Sequence, residues 1–190
     1  MDYDILEILG KYVPITPELE AALNESVFIK SFKKGTILLK EGGFSNECYF
    51  ILKGCIRSYY LKDGDEKTTE FYTEEQVVSP LTYGKNTPSE HFLECVEDTV
   101  ACVGTPELES EMYQKYPVLE SLNRAMGEVI IANYQESFAD FKMATPTERY
   151  LNLLKTRSDL IQRVPQYQIA SYLGIKPESL SRIRKRAMSK

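Results

Sequence analysis

Apolar and polar positions alternate with three different rhythms along the chain. Over residues 5–23, ILEILGKYVPITPELEAAL, the apolar positions recur at helical spacing, and Thr16 and Pro17 suit an N-cap and a first helical residue. Short helices are predicted there. After Asn24 the period drops to two. VFIKSF, TILLKE, CYFIL, CIRSYYL and EKTTEFY mix β-branched and aromatic residues with polar ones and are separated by glycines, so they read as strands. Lys62-Asp63-Gly64-Asp65 lies between two such runs and predicts a tight hairpin. Glycines at 35, 42, 43, 54 and 64 punctuate the segment at about ten-residue intervals, the rhythm of a small antiparallel sandwich or barrel. Strand texture resumes over residues 91–104.

Beyond Thr105 the helical period returns. Pro106 and Pro117 bracket a short helix, and a long one is predicted from about Val118 to Met143. On it Leu122, Met126, Ile130, Tyr134 and Phe138 repeat every fourth residue, flanked by Leu119, Val129 and Phe141. Such a stripe can pack on the chain's own β domain or on a twin helix. Its length exceeds what one small domain covers, which favours the seam of a symmetric dimer. Thr145, Pro146 and Glu148 then form a capping box that opens a helix from Pro146 to about Lys155, followed by a polar loop.

The last stretch, QYQIASYLGIKPESLSRIR, satisfies the demands of two helices meeting at a steep angle. Ala170 is small enough for their closest approach, and Gly174 can take the left-handed turn. Ile169, Leu173, Ile175, Leu180 and Ile183 fall at inward-facing positions, and Pro177 suits the first turn of the second helix. An ordinary helical hairpin has no need of Ala and Gly at these two places; a helix-turn-helix does. The outward face of the second helix, residues 177–187, and the residue before it then carry Lys176, Glu178, Ser179, Arg182, Lys185 and Arg186. Arg182 can bond guanine O6 and N7, and Glu178 can accept from cytosine N4. Lys176, Ser179, Ser181, Lys185 and Arg186 suit phosphates. Glu178 and Arg182 could instead form a simple i,i+4 ion pair.

Charge sharpens this reading. Thr145 to Lys190 holds ten Lys or Arg against three acids, yet the 190-residue chain carries a formal net charge of −5. A basic module for a polyanion is thus joined to an acidic one. The four cysteines, Cys48, Cys55, Cys95 and Cys102, sit within apolar alternations and never as CxxC, as in a reduced cytoplasmic protein. Neither a long apolar span nor a secretory leader is read from the sequence, so no membrane partner is expected. An enzyme is not expected either: the acids of DGDE and TEEQ fall at turns, only one histidine is present, and neither a phosphate loop nor HExxH occurs.

These features together resemble the Crp/Fnr family of bacterial transcription regulators. The stretch KKGTILLKEGGFSNECYFILKGCIRSYYLKDGDE is similar to that family's cyclic-nucleotide-binding β-roll, and PESLSR to its recognition helix. The resemblance implies an α+β chain in three parts: an antiparallel β-roll (jelly-roll) sensor domain over 1–117, a dimerisation helix over 118–143, and a helix-turn-helix domain over 144–190. It implies a homodimer reading a pseudo-palindromic site on double-stranded DNA. A small-molecule effector and RNA polymerase are the further partners it suggests. Glu178 and Arg182 fall on the family's base-reading positions, while Pro177 replaces a family arginine. No counterpart of the family's β-hairpin wing is read after Arg186.

In the ligand region EEQVVSPLTYGKNTPSEHFLEC, Ser79 stands for the family's ribose-binding glutamate, and Leu81 belongs to the same loop. Ser89 stands for the phosphate-binding arginine, and Ile130-Ile131 for the adenine-contacting Thr-Ser pair. cAMP is therefore not expected as effector. With His91 the sole histidine and no N-terminal cysteine cluster, no metal, haem or iron–sulfur cluster is expected, and His91 reads as structural. The alternatives are a cyclic-nucleotide-responsive regulator with a divergent pocket, or a sensor module that acts on a protein partner.

Overall fold

The computed structural model describes residues 5–11 and 13–188. Met1–Asp4 lie outside the described residues, as do Tyr12, which falls in the N-terminal helical reading above, and Ser189 and Lys190, which enter the charge count. Two helices lead: α1 (Ile5–Leu9) and α2 (Pro17–Ser26). Thr16 caps α2, its hydroxyl accepting from the Leu19 amide at 3.2 Å, with Pro17 in the first turn.

The strands are β1 (Ile29–Phe32), β2 (Ile37–Leu39), β3 (Cys48–Lys53), β4 (Ile56–Lys62), β5 (Asp65–Tyr72), β6 (Val77–Val78), β7 (Phe92–Cys95) and β8 (Thr99–Gly104). They form two antiparallel sheets, β1-β8-β3-β6 and β2-β7-β4-β5. The predicted hairpin joins β4 to β5. Lys62 pairs with Asp65, and Asp63 and Gly64 both take positive φ, 55° and 82°, the two-residue turn whose twist suits a hairpin. Leu39, Tyr49, Ile51, Ile56, Leu93, Cys95, Ala101 and Val103 fill the space between the sheets. All four cysteines are free thiols.

Helix α3 (Pro106–Lys115) and the long α4 (Val118–Met143) follow, then α5 (Pro146–Thr156), α6 (Ser158–Arg163), α7 (Gln166–Tyr172) and α8 (Pro177–Met188). The capping box at α5 is formed in both directions: Thr145 Oγ1 accepts from the Glu148 amide, and the Glu148 carboxylate accepts from the Thr145 amide at 2.8 Å. The stretch read as a polar loop after α5 instead contains α6. No side chain caps it, and it is held by Leu160, whose side chain is wholly buried.

The four C-terminal helices do not stand apart from the β domain. Successive residues of a strand point to opposite faces, so Phe71 on β5 leaves the inter-sheet core, and Cys55 and Val96, just before β4 and just after β7, lie with it. They join Tyr150, Leu153, Leu160, Val164, Ile169, Ala170, Leu173, Leu180 and Ile183 in one continuous core. The helix-turn-helix is therefore seated on the outer face of the β2-β7-β4-β5 sheet.

Candidate nucleic-acid interface

The turn between α7 and α8 is built as its sequence requires. Gly174 has φ +68°, and its amide donates to Ser171 O while Ile175 N donates to Ala170 O, both at 3.0 Å. This pair of bonds closes a Schellman motif. A Cβ at Gly174 would also come within 3.4 Å of Phe141 Cζ and 3.5 Å of Arg149 Nη1. Ile169, Ala170, Leu173, Leu180 and Ile183 are buried, and Ile175 packs half-buried against them.

The opposite face of α8 is open. Lys176, Glu178, Ser181, Arg182, Lys185 and Arg186 are exposed, and Ser179 is half-buried. The Arg182 Nε donates to the Glu178 main-chain oxygen at 3.4 Å, and no ion pair joins the two side chains among the described residues. The i,i+4 pair that could have neutralised this face is therefore not made, and the Glu178 carboxylate and Arg182 guanidinium both remain presented on it.

Contacts that sequence reasoning missed fix this module to the β domain. Arg163 at the end of α6 bonds Glu74 through both terminal nitrogens at 2.8 Å, Glu97 through Nε at 2.9 Å, and Gly54 O at 2.9 Å. Burial acts on the Glu74 carboxyl, but the Arg163 bonds and the Gly54 amide outweigh it and hold its pKa below the usual range. Gly54 must be glycine, since its φ is +109° and a Cβ would lie 2.6 Å from Thr99 Cα. Arg157 bonds Glu70 at 3.1 Å and Phe71 O at 2.7 Å. Ser171 on α7 donates to Glu66 O and accepts from the Thr68 amide. Nearby Arg57 is only 2% exposed. It lies between Glu66 and Glu94, both at 2.6 Å, with its guanidinium 4.1 Å above the Tyr59 ring.

The α4 stripe splits in two. Leu122, expected on an intermolecular seam, is instead buried in its own chain, because α1 and α2 fold back over the first turns of α4 and close a cluster with Leu9, Leu19 and Leu23. Met126 is half-buried against the same cluster. Beyond it Ile130 is half-buried, the Tyr134 hydroxyl meets that of Tyr72 at 2.9 Å, and Phe138 is 64% exposed. With Val129, Ile131 and Phe141 also exposed, the C-terminal half of α4 presents an uncovered apolar face.

The five expected pocket residues are dispersed in character. Ser79 is exposed and Leu81 is 69% exposed, whereas Ser89 is 2% exposed. Ser89 Oγ donates to His91 O at 2.9 Å, lies 3.1 Å from His91 Nδ1 and accepts from the His91 amide, which commits its hydroxyl to its own loop. Burial lowers the His91 pKa. Ile131 is 60% exposed. A cavity of about 180 Å³ lies between α3 and α4, and another of about 200 Å³ lies beside Phe44, Tyr49 and Pro80. None of the five residues lines either one.

Residues 29–115 match the family model of the cyclic nucleotide-binding domain. No curated protein sequence matches the chain. Among solved structures the chain is similar to CLP of Xanthomonas campestris, a c-di-GMP-responsive global regulator that links cell–cell signalling to virulence gene expression. The two share 14% identity over 90% of each chain, with a TM-score of 0.70. FixK2 from Bradyrhizobium japonicum is 19% identical over 86% of this chain and 85% of its own, with a TM-score of 0.65. A CooA mutant from Carboxydothermus hydrogenoformans is 14% identical over 100% and 86%, also with a TM-score of 0.65. At these identities the likeness is one of fold. The class so defined is a cyclic-nucleotide-binding-type β domain carried through a long helix into a helix-turn-helix module. The chain shares that fold with these solved structures.

Proposed function

We propose that this protein is a DNA-binding transcriptional regulator and not an enzyme. It acts as a homodimer that places two copies of α8 in successive major grooves of a pseudo-palindromic site. Residues 1–117 serve as sensor domain, 118–143 as dimerisation helix and 144–190 as reading module. The observation that carries the reading is the open face of α8, where Glu178 and Arg182 point outward unpaired with each other among exposed lysine and arginine. In that role Arg182 and Glu178 read base edges, and Lys176, Ser179, Ser181, Lys185 and Arg186 meet phosphates. The dimer seam runs along Ile130, Tyr134 and Phe138, of which Tyr134 and Phe138 are exposed in the single chain and Ile130 is half-buried. The reading faces of such a dimer would lie about 34 Å apart, one turn of duplex.

The effector in this reading is not cAMP. Its phosphodiester would need a cation where Ser89 is already bonded to His91, and no arginine occurs between Arg57 and Arg124. Work in the cytoplasm and contact with RNA polymerase follow from the same role. The test is selection of duplexes from a random library, followed by titration of the winner and of random duplex across salt concentrations. Preferential binding whose logarithm falls linearly with log salt supports the reading. Absence of duplex binding at low salt, or binding indifferent to salt, would sink it.

A further inference from the structure

The helical chain breaks once between α4 and the reading module, at Ala144, whose backbone is extended (φ −83°, ψ 141°) between Met143 and the Thr145 cap. A break of this kind leaves carbonyls at the end of α4 without helical donors and ends the continuous helical connection to the following module. One side chain spans it. Arg149, in the first turns of α5, donates from Nε to Ala144 O and from Nη1 to Leu173 O, each at 3.2 Å. Its guanidinium also lies 3.7 Å above the centre of the Phe141 ring on α4. Leu173 immediately precedes Gly174, the turn of the helix-turn-helix, and the missing Cβ of that glycine leaves room for both Phe141 and Arg149.

We infer that Arg149 is a positioning residue for DNA reading, a latch that sets the α7–α8 turn at a fixed angle to the end of α4. The inference rests on the reading of α8 as a recognition helix, and it assigns what orients that helix. The lever is sensitive. Helix α8 is about 18 Å long, so a tilt of about 10° at one end moves the other by about 3 Å, the length of a hydrogen bond. Two copies in a dimer would double the mismatch with a fixed half-site spacing. The planar guanidinium matters because it bonds two carbonyls in fixed directions while lying flat on a ring; a lysine keeps the charge and can donate, but has no planar fork to hold that geometry.

Arg149→Lys and Arg149→Met, in the full chain, test this in two independent ways. Hydrogen exchange at the Gly174 and Ile175 amides should rise roughly tenfold in both variants while the β3 and β8 amides stay protected. This readout needs no DNA, so it stands even if the protein proves not to bind duplex. With the selected duplex, both variants should lose roughly five- to a hundredfold of their preference over random duplex, the worth of one bidentate base contact. Arg149→Lys should keep the wild-type salt slope, as expected for a residue that touches no phosphate. Unchanged exchange at the turn overturns the latch. So does Arg149→Lys with wild-type preference, or a loss equal on selected and random duplex, which would make Arg149 a plain phosphate contact.

Discussion

Replacing Arg163 by methionine should detach the reading module from the β domain at its best-bonded point. The guanidinium holds Glu74, Glu97 and Gly54 O, and the side chains of Arg163, Glu74 and Glu97 are 22%, 39% and 30% exposed. A charge-assisted bond in a closed interior contributes about 1.5–3 kcal/mol, but solvent reaches these partners and brings each carboxylate pair towards about 1 kcal/mol. Two such pairs, with methionine retaining much of the packing, give a loss of about 2 kcal/mol. For a chain of this size that lowers the melting temperature by roughly 4–8 °C. The loss should also depend on pH. The folded-state pKa of Glu74 is depressed below its ordinary value of 4.5, so the pair contributes fully above that value and fades as pH falls through the folded pKa. Urea unfolding of wild type and Arg163→Met should therefore differ by about 2 kcal/mol at pH 7 and converge as pH falls below the depressed folded-state pKa of Glu74. Burial raises the pKa of Glu70 in the neighbouring Arg157 contact, but that group is common to both proteins and cancels in the difference. A difference within about 0.5 kcal/mol at pH 7, the range of an ordinary surface change, would refute the reasoning.

Phe138→Asp should yield monomers by sedimentation with unchanged helix content, since this exposed ring belongs to no core cluster of its own chain; a persistent dimer would place the seam elsewhere. Arg182→Ala should cost about 1–3 kcal/mol on the selected duplex and relax its preference, whereas Lys185→Ala should weaken selected and random duplex alike and lower the salt slope. Equal losses on both duplexes for Arg182→Ala would remove it from base reading. Calorimetry with cAMP at millimolar concentration should give no binding tighter than tens of micromolar; a tighter constant, with a matching rise in affinity for the selected duplex, would restore cAMP as effector.

The features that could be read from the sequence are those enforced by residues close together in the chain. The Thr145–Glu148 capping box, the Asp63-Gly64 hairpin and the Ala170–Gly174 turn each depend on a few residues at fixed offsets, and each forms where its pattern lies. Helix α6 escaped notice for the opposite reason. SDLIQR is too short to show a period and has no side-chain cap, so its support comes from Leu160 in a core it shares with distant strands.

The same distinction explains Leu122. A period of about 3.6 residues says which side chains share a face, but not what covers that face. Leu122 and Phe138 belong to one stripe by spacing, yet α1 and α2, more than ninety residues earlier in the chain, reach only its N-terminal turns. The seat of the reading module was hidden further still. Arg163 lies 66 residues from Glu97, 89 from Glu74 and 109 from Gly54, and every one of these partners sits in a turn between strands, where charged residues and glycines are ordinarily explained by solvent and backbone geometry alone. The pattern that marks α8 as a helix for reading DNA lies wholly on α7 and α8. What holds that helix at its angle is distributed over Phe141, Arg149, Glu74 and Arg163, and only the folded chain brings those four to one module.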